Sequence, residues 1–136
     1  MKKRFAITAD VALLLARDKA EVPVDHALVA PTLLRSQVLS QLYSAVRSGE
    51  LAKKEADVQL DYLRGLQIRL LGDRVLQRHA WEIASKLDWQ DTYSAEYIAV
   101  TQLQADVLVT LDRDLATAAR SFVDVASLED LLATTA

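Results

Sequence analysis

Apolar residues along this chain keep two rhythms, short unbroken runs and longer stretches repeating every three or four positions, and the two alternate. Arg4 to Thr8 predicts a strand, and Asp10 to Arg17 predicts a helix with leucines and alanines on its inner face. Val22 to Asp25, with Pro23, reads as a loop, and Ala27 to Ala30, closed by Pro31, as a second strand. From Leu33 to Val46 the positions Leu34, Val38, Leu42 and Ala45/Val46 keep helical spacing, with Thr32 as N-cap and Ser48-Gly49 as the stop. Glu50 to Leu66 predicts a further helix with Leu51, Val58, Tyr62 and Leu66 inward.

Ile68 to Leu71, ahead of Gly72, reads as a third strand. Asp73 caps a helix carrying Val75, His79/Ala80, Ile83 and Leu87 on one side. Asp91 or Thr92 opens the next, with Ala95, Ile98, Ala99 and Leu103 turned in. Val107 to Leu111 is a fourth strand, Asp112 to Arg120 is helical, Phe122 to Val125 is a small fifth strand, and Leu128 to Leu132 is a terminal helical turn or two.

Strands alternating with helices imply parallel pairing through right-handed crossovers, with helices on both faces. The expected fold is a three-layer α/β domain over residues 1–136, with about five short parallel strands and more helix than sheet. The composition, 51% apolar and 26% charged with two prolines, suits one packed core without a linker or repeat. Cysteine is absent, which excludes disulfides, zinc–thiolate sites and thiol nucleophiles. A net charge of −3 argues against a broad basic platform for duplex nucleic acid, but says nothing against a local groove. Met1-Lys2-Lys3-Arg4 and the apolar stretch after it resemble a signal peptide, yet Asp10 interrupts the stretch and Arg17-Asp18-Lys19 follows without a cleavage zone. No apolar run has the length of a membrane span, so the expected location is the cytoplasm.

In an open α/β sheet, ligands bind beyond the carboxyl ends of the strands. Four places qualify: Thr8-Ala9-Asp10, the helix around Gln37, the helix start at Asp91 to Ser94, and Asp112 with Asp114. No glycine-rich phosphate loop follows the first strand, and the acids and lysine of a phospho-acceptor site are missing. Carboxylates gathered without a lysine repel one another unless a divalent cation joins them, and Asp10 with Asp112 offers the kernel of such a site for phosphodiester cleavage. Each has a plainer reading: Asp112 as helix N-cap with Asp114 favouring the helix dipole, Asp10 and Asp91 as caps. Gln37 is either a buried amide holding its neighbours or a substrate contact, and Ser94 has no base near it in sequence. His26 and His79 lack metal-ligand spacing, and Trp81 and Trp89 read as packing residues rather than platforms for bases. Arg35, Arg113 and Lys2-Lys3-Arg4 are either phosphate contacts or solvated charges.

The segments Ala30-Pro31-Thr32-Leu33-Leu34-Arg35-Ser36-Gln37-Val38 and Thr92-Tyr93-Ser94-Ala95-Glu96-Tyr97-Ile98-Ala99, followed by Leu108-Val109-Thr110-Leu111-Asp112, resemble a PIN domain. More narrowly, they resemble the VapC ribonuclease toxins of bacterial toxin–antitoxin pairs. The resemblance spans nearly the whole chain and is more specific in its second half. It implies a metal-dependent endoribonuclease in which four acidic residues surround one or two Mg²⁺ or Mn²⁺ ions. It also implies an RNA substrate, a small antitoxin partner that covers the groove with a basic segment, and a homodimer.

Only Asp112 stands at its family position; Gln37 replaces the usual glutamate and Ser94 the usual aspartate. Thr8 aligns with the first aspartate, with Asp10 two residues on and able to serve in a shifted register. The resemblance therefore assigns catalysis and metal binding to Asp10 and Asp112, and a lining role to Thr8, Gln37, Ser94 and Asp114. Two neutral positions disfavour a two-metal site, so the expectation is weak single-metal binding, or none in the free protein. The alternatives are a catalytically inactive PIN fold that binds RNA or a protein, and an adapter with no nucleic-acid role.

Overall fold

The computed structural model describes residues 2–134; Met1, Thr135 and Ala136, the ends of the expected 1–136 span, lie outside the described residues. The chain runs β1 (Lys3–Ile7), α1 (Ala9–Asp18), β2 (His26–Pro31), α2 (Leu33–Arg47), α3 (Lys53–Gly65), β3 (Ile68–Leu71), α4 (Arg74–Lys86), α5 (Tyr93–Gln104), β4 (Val107–Val109), α6 (Arg113–Ala119), β5 (Val125–Ala126) and α7 (Leu128–Leu132). All strand pairs are parallel, in the order β3-β2-β1-β4-β5. Right-handed crossovers carry α1, α2 and α3 over one face as the chain steps from β1 to β3, and α4, α5 and α6 over the other as it steps back through β4 to β5. The expected three-layer α/β fold is what forms.

The core is the sheet's two faces and the helix stripes against them. Phe5, Ile7, Leu28, Val29, Leu108 and Val109 are buried from the strands, and Val11, Leu15, Leu34, Leu76, Ile98 and Val100 from the helices. α5 lies across β1, β2 and β4 and buries Ala95 and the run Tyr97 to Thr101, whereas α4 packs on α5. α7 folds back to the start of β2, where the buried His26 ring meets the Leu131 carbonyl at 2.7 Å and packs tilted at 44° against Phe5, ring centroids 4.6 Å apart. Among the described residues, no helix is long and apolar enough to cross a membrane.

Several boundaries differ from the sequence reading, each for a visible reason. α3 begins at Lys53, not Glu50, because Gly49 takes a positive φ and the Glu50 and Leu51 N–H groups donate back to the Ala45 carbonyl at 2.9 and 3.2 Å, closing α2. β5 is Val125–Ala126 because the N–H groups of Phe122 and Val123 donate to the Ala119 carbonyl at 2.8 and 2.9 Å, which keeps them in the exit turn of α6. β4 ends at Val109, two residues early, where the turn into α6 starts. Pro31 belongs to β2: its missing N–H faces β1 beyond the last paired residues, Ala6 and Val29, while Thr32 N–H continues the β3 side to Leu71 at 3.1 Å. Thr32 has helical backbone angles and makes no side-chain cap bond.

On α4 the inward stripe is Leu76, Ala80, Ile83 and Ala84, so Val75 points to solvent and Trp81 is 73% exposed instead of packed. Trp89, half-buried, does pack against the core. Replacing the fully buried Ile98 with alanine is expected to cost about 2–5 kcal/mol of stability in urea unfolding. Val75→Ala should stay within about 0.5 kcal/mol of the parent.

Candidate functional site

The strand order reverses direction between β1 and β4, so the chain leaves the carboxyl ends of these neighbours toward opposite edges of the sheet. That divergence opens the crevice where α/β proteins bind ligands. Ile7 lies in register with Val109, and Thr8 N–H donates to the Val109 carbonyl at 3.3 Å, so Thr8 and Thr110 stand side by side at the rim.

Thr8 is buried and occupies the N-cap position of α1, yet its hydroxyl does not bond a helix N–H. It donates instead to Asp10 Oδ1, which also accepts Val11 N–H at 2.7 Å. Asp10 therefore sits inside the first helical turn and is not the cap of the sequence reading; its charge meets the positive end of the α1 dipole. Across the rim, Tyr97 on α5 donates its hydroxyl to Gln37 Oε1 on α2, tying the two helical layers together over the sheet. Burial pushes the Tyr97 phenol well above its ordinary value, the Glu96 and Asp10 carboxylates push it further, and a backbone hydrogen bond with Ala9 pulls the other way. Tyr97 thus stays protonated and joins Thr8, Asp10 and Gln37 in one neighbourhood. Its ring lies on the same helical face as Ser94, three residues earlier, and that spacing was the signal by which the sequence could have shown it.

Asp112 caps α6: its Oδ1 accepts the N–H groups of Asp114 and Leu115 at 2.9 and 3.1 Å. Its own N–H donates to Thr110 Oγ1 at 3.1 Å. Asp112 and Asp114 are both exposed at the strand end next to that of Asp10. Asp91 takes Tyr93 N–H at 3.2 Å in the turn before α5, while the N-cap position belongs to Thr92. Ser94 is half-buried in the first turn. His79 meets Gln102 at 3.2 Å, and His26 is the buried residue described above.

An open cleft of about 610 Å³ starts at Asp10 and Leu111 and continues past Leu14 and Arg17 to Gln41 and Glu50. Among the described residues, no three His, Asp or Glu side chains gather as a metal-binding group. The donor set does not fit two bridged metal ions. It does fit one hard cation held by one or two carboxylates, with water and phosphate completing its shell. The protein hydrogen bonds to Asp10 and to Asp112 both fall on Oδ1, which leaves the chemistry of Oδ2 for such an ion.

No family model matches this chain, and no curated protein matches it. A solved structure does resemble it: PAE2754 from Pyrobaculum aerophilum, with a TM-score of 0.69, 21% identity, and coverage of 97% of this chain and 96% of that one. At that identity the likeness establishes the fold.

Because Asp112 is a working cap, Asp112→Ala should lower stability by about 1 kcal/mol, whereas Asp112→Asn, an equally good cap, should change it by only roughly a few tenths; urea titrations of the three proteins compare them. Burial also raises the Glu96 carboxyl. A carboxyl raised on folding holds its proton better in the native state, so its contribution to stability falls as pH rises through the two values. Thermal melts should accordingly find Glu96→Gln more stable than the parent at neutral pH, with the gap closing in acid.

Proposed function

We propose that this chain is a PIN-domain protein of the VapC kind, a metal-dependent endoribonuclease attenuated at its acidic site. One observation carries the reading: Asp10 and Asp112 stand at the carboxyl ends of adjacent parallel strands, at the point where the sheet reverses direction. Asp10 and Asp112 would hold a Mg²⁺ or Mn²⁺ ion. Such an ion supplies positive charge that acidifies a bound water and neutralises charge building on a phosphate. The Thr8 hydroxyl and Val11 N–H fix Asp10 by its Oδ1. Gln37 has its carbonyl oxygen on Tyr97, and its amide nitrogen would be the group that donates to phosphate oxygens. Tyr97, kept protonated, donates a hydrogen bond and is no base. Ser94 and Asp114 line the approach.

The attenuation follows from charge, since Gln37 and Ser94 bring none where the family has carboxylates. Partners under this reading are RNA, a small antitoxin and a second copy of the chain, in the cytoplasm. Leu39 and Tyr43, 56% and 64% exposed beside a cavity of about 340 Å³ between α2 and α3, offer apolar surface to a protein partner. A second reading, a PIN fold that binds RNA or protein without cutting, is favoured by the Tyr97–Gln37 bond. It engages the one amide atom of Gln37 able to ligate a cation.

Calorimetric titration with Mn²⁺ and cleavage of a structured RNA separate the two. The parent should bind Mn²⁺ weakly and cut slowly, and Asp10→Asn or Asp112→Asn should cut at least about 100-fold more slowly. A parent that binds RNA but neither takes up Mn²⁺ nor cuts is the non-catalytic module.

A further inference from the structure

The outward face of α4 has no role in the fold, yet it is not an ordinary solvated surface. Arg74, Gln77, Arg78 and Trp81 recur at helical spacing and, with Glu82, line a shallow depression of about 380 Å³. The inward positions Leu76, Ala80, Ile83 and Ala84 fall on the opposite side, so the 73% exposed indole packs nothing the helix needs. Among the described residues, Arg74 and Arg78 are in no ion pair; the pairs that form are Arg17–Asp18, Lys53–Asp57 and Arg64–Asp61. Two uncommitted guanidinium groups beside an exposed indole, against one carboxylate, make a local cationic strip on a chain of net charge −3.

We infer that this strip docks single-stranded RNA, Trp81 stacking on an unpaired base while Arg74 and Arg78 contact backbone phosphates. It rests on the RNA-handling reading above. Exposed aromatic rings stack on bases whatever the sequence, and cations beside them follow the strand. A second copy of the chain suits the face less well. The exposed apolar side chains there are Trp81 and Val75, the latter 44% exposed, whereas a stable interface covers about 800 Å² on each partner. The strip also begins in the right place. Arg74 follows Asp73 just past the carboxyl end of β3, the end of the sheet that bears Asp10 and Asp112. β3 lies two strand spacings, about 10 Å, from β1. From Arg74 the helix carries the strip about 10 Å further to Trp81. A strand lying on the rim would continue down this face.

The test uses the full chain, EDTA and an unstructured RNA of roughly twelve nucleotides, so that binding is read without metal or cleavage. Binding should quench the exposed indole, weaken about 5- to 150-fold in Trp81→Ala, and largely survive in Trp81→Phe. Arg74→Ala and Arg78→Ala should each reduce the slope of log K against log salt by about 0.7. Unchanged melting temperatures verify that these exposed substitutions leave the fold intact. The inference is overturned if the parent does not bind the RNA, or if Trp81→Ala binds it as the parent does. It is equally overturned if sedimentation shows a parent dimer that Trp81→Ala converts to monomer, which would make the face a self-interface. Metal-free binding reads the strip alone and Mn²⁺-dependent cleavage by the Asp112 variants reads the strand-end site, so either can fail separately.

Discussion

Parallel pairing of β1 with β4 is the constraint on which the remaining structure depends. Asp106 N–H donates to the Arg4 carbonyl at 2.9 Å across 102 residues, Arg4 N–H returns a bond to Asp106 Oδ2 at 2.8 Å, and the ladder continues through Ile7 and Val109 to Thr8. A parallel pair cannot be made by a hairpin, so everything between must leave one end of the sheet and return at the other. The crossovers through β2 and β3 fill one side of β1, and β4 with β5 the other. The strand-end cleft, the helix starts that surround it and the carboxylates they carry follow from that one ladder.

Electrostatics then distinguishes this strand end from one crowded with acids. Four carboxylates in such a crevice would repel until a cation arrived. Here an amide and two hydroxyl groups take the place of further charge. Asp10 is held by a hydroxyl and a backbone N–H, and Gln37 by a phenol whose proton the surroundings retain. The polar groups satisfy one another, and among the described residues no buried side-chain nitrogen or oxygen lacks a partner. A network closed in this way keeps its shape without an ion.

The sheet was legible because its strands are short apolar runs cut off sharply, and Asp73 and Asp112 proved readable as caps because each stands directly before a helical pattern. What misled was local backbone geometry. Nothing in the letters of Glu50 and Leu51 reveals that their N–H groups return to Ala45, or that Phe122 and Val123 finish a helix instead of starting a strand. On α4 a shift of one residue, from Val75 to Leu76, rotates the apolar stripe by about 100° and turns Trp81 from core to surface. The partnership of Tyr97 with Gln37 was hidden for another reason. The two residues are 60 apart, and only the stacking of α2 and α5 on opposite faces of the same sheet brings their tips together.

The clasp of α7 on the start of β2 has a consequence for how such a chain is made. His26 waits for the Leu131 carbonyl, 105 residues later, and the central strand waits nearly as long for β4. At synthesis rates of about 5–20 residues per second, β1 spends roughly 5–20 s without its second neighbour. During that interval its edge is open to any other strand, and the strand-end crevice has only one wall. The second wall of the crevice and the clasp of α7 are both supplied by the segment from β4 (Val107–Val109) to α7 (Leu128–Leu132), so the last part of the chain to emerge completes the sheet.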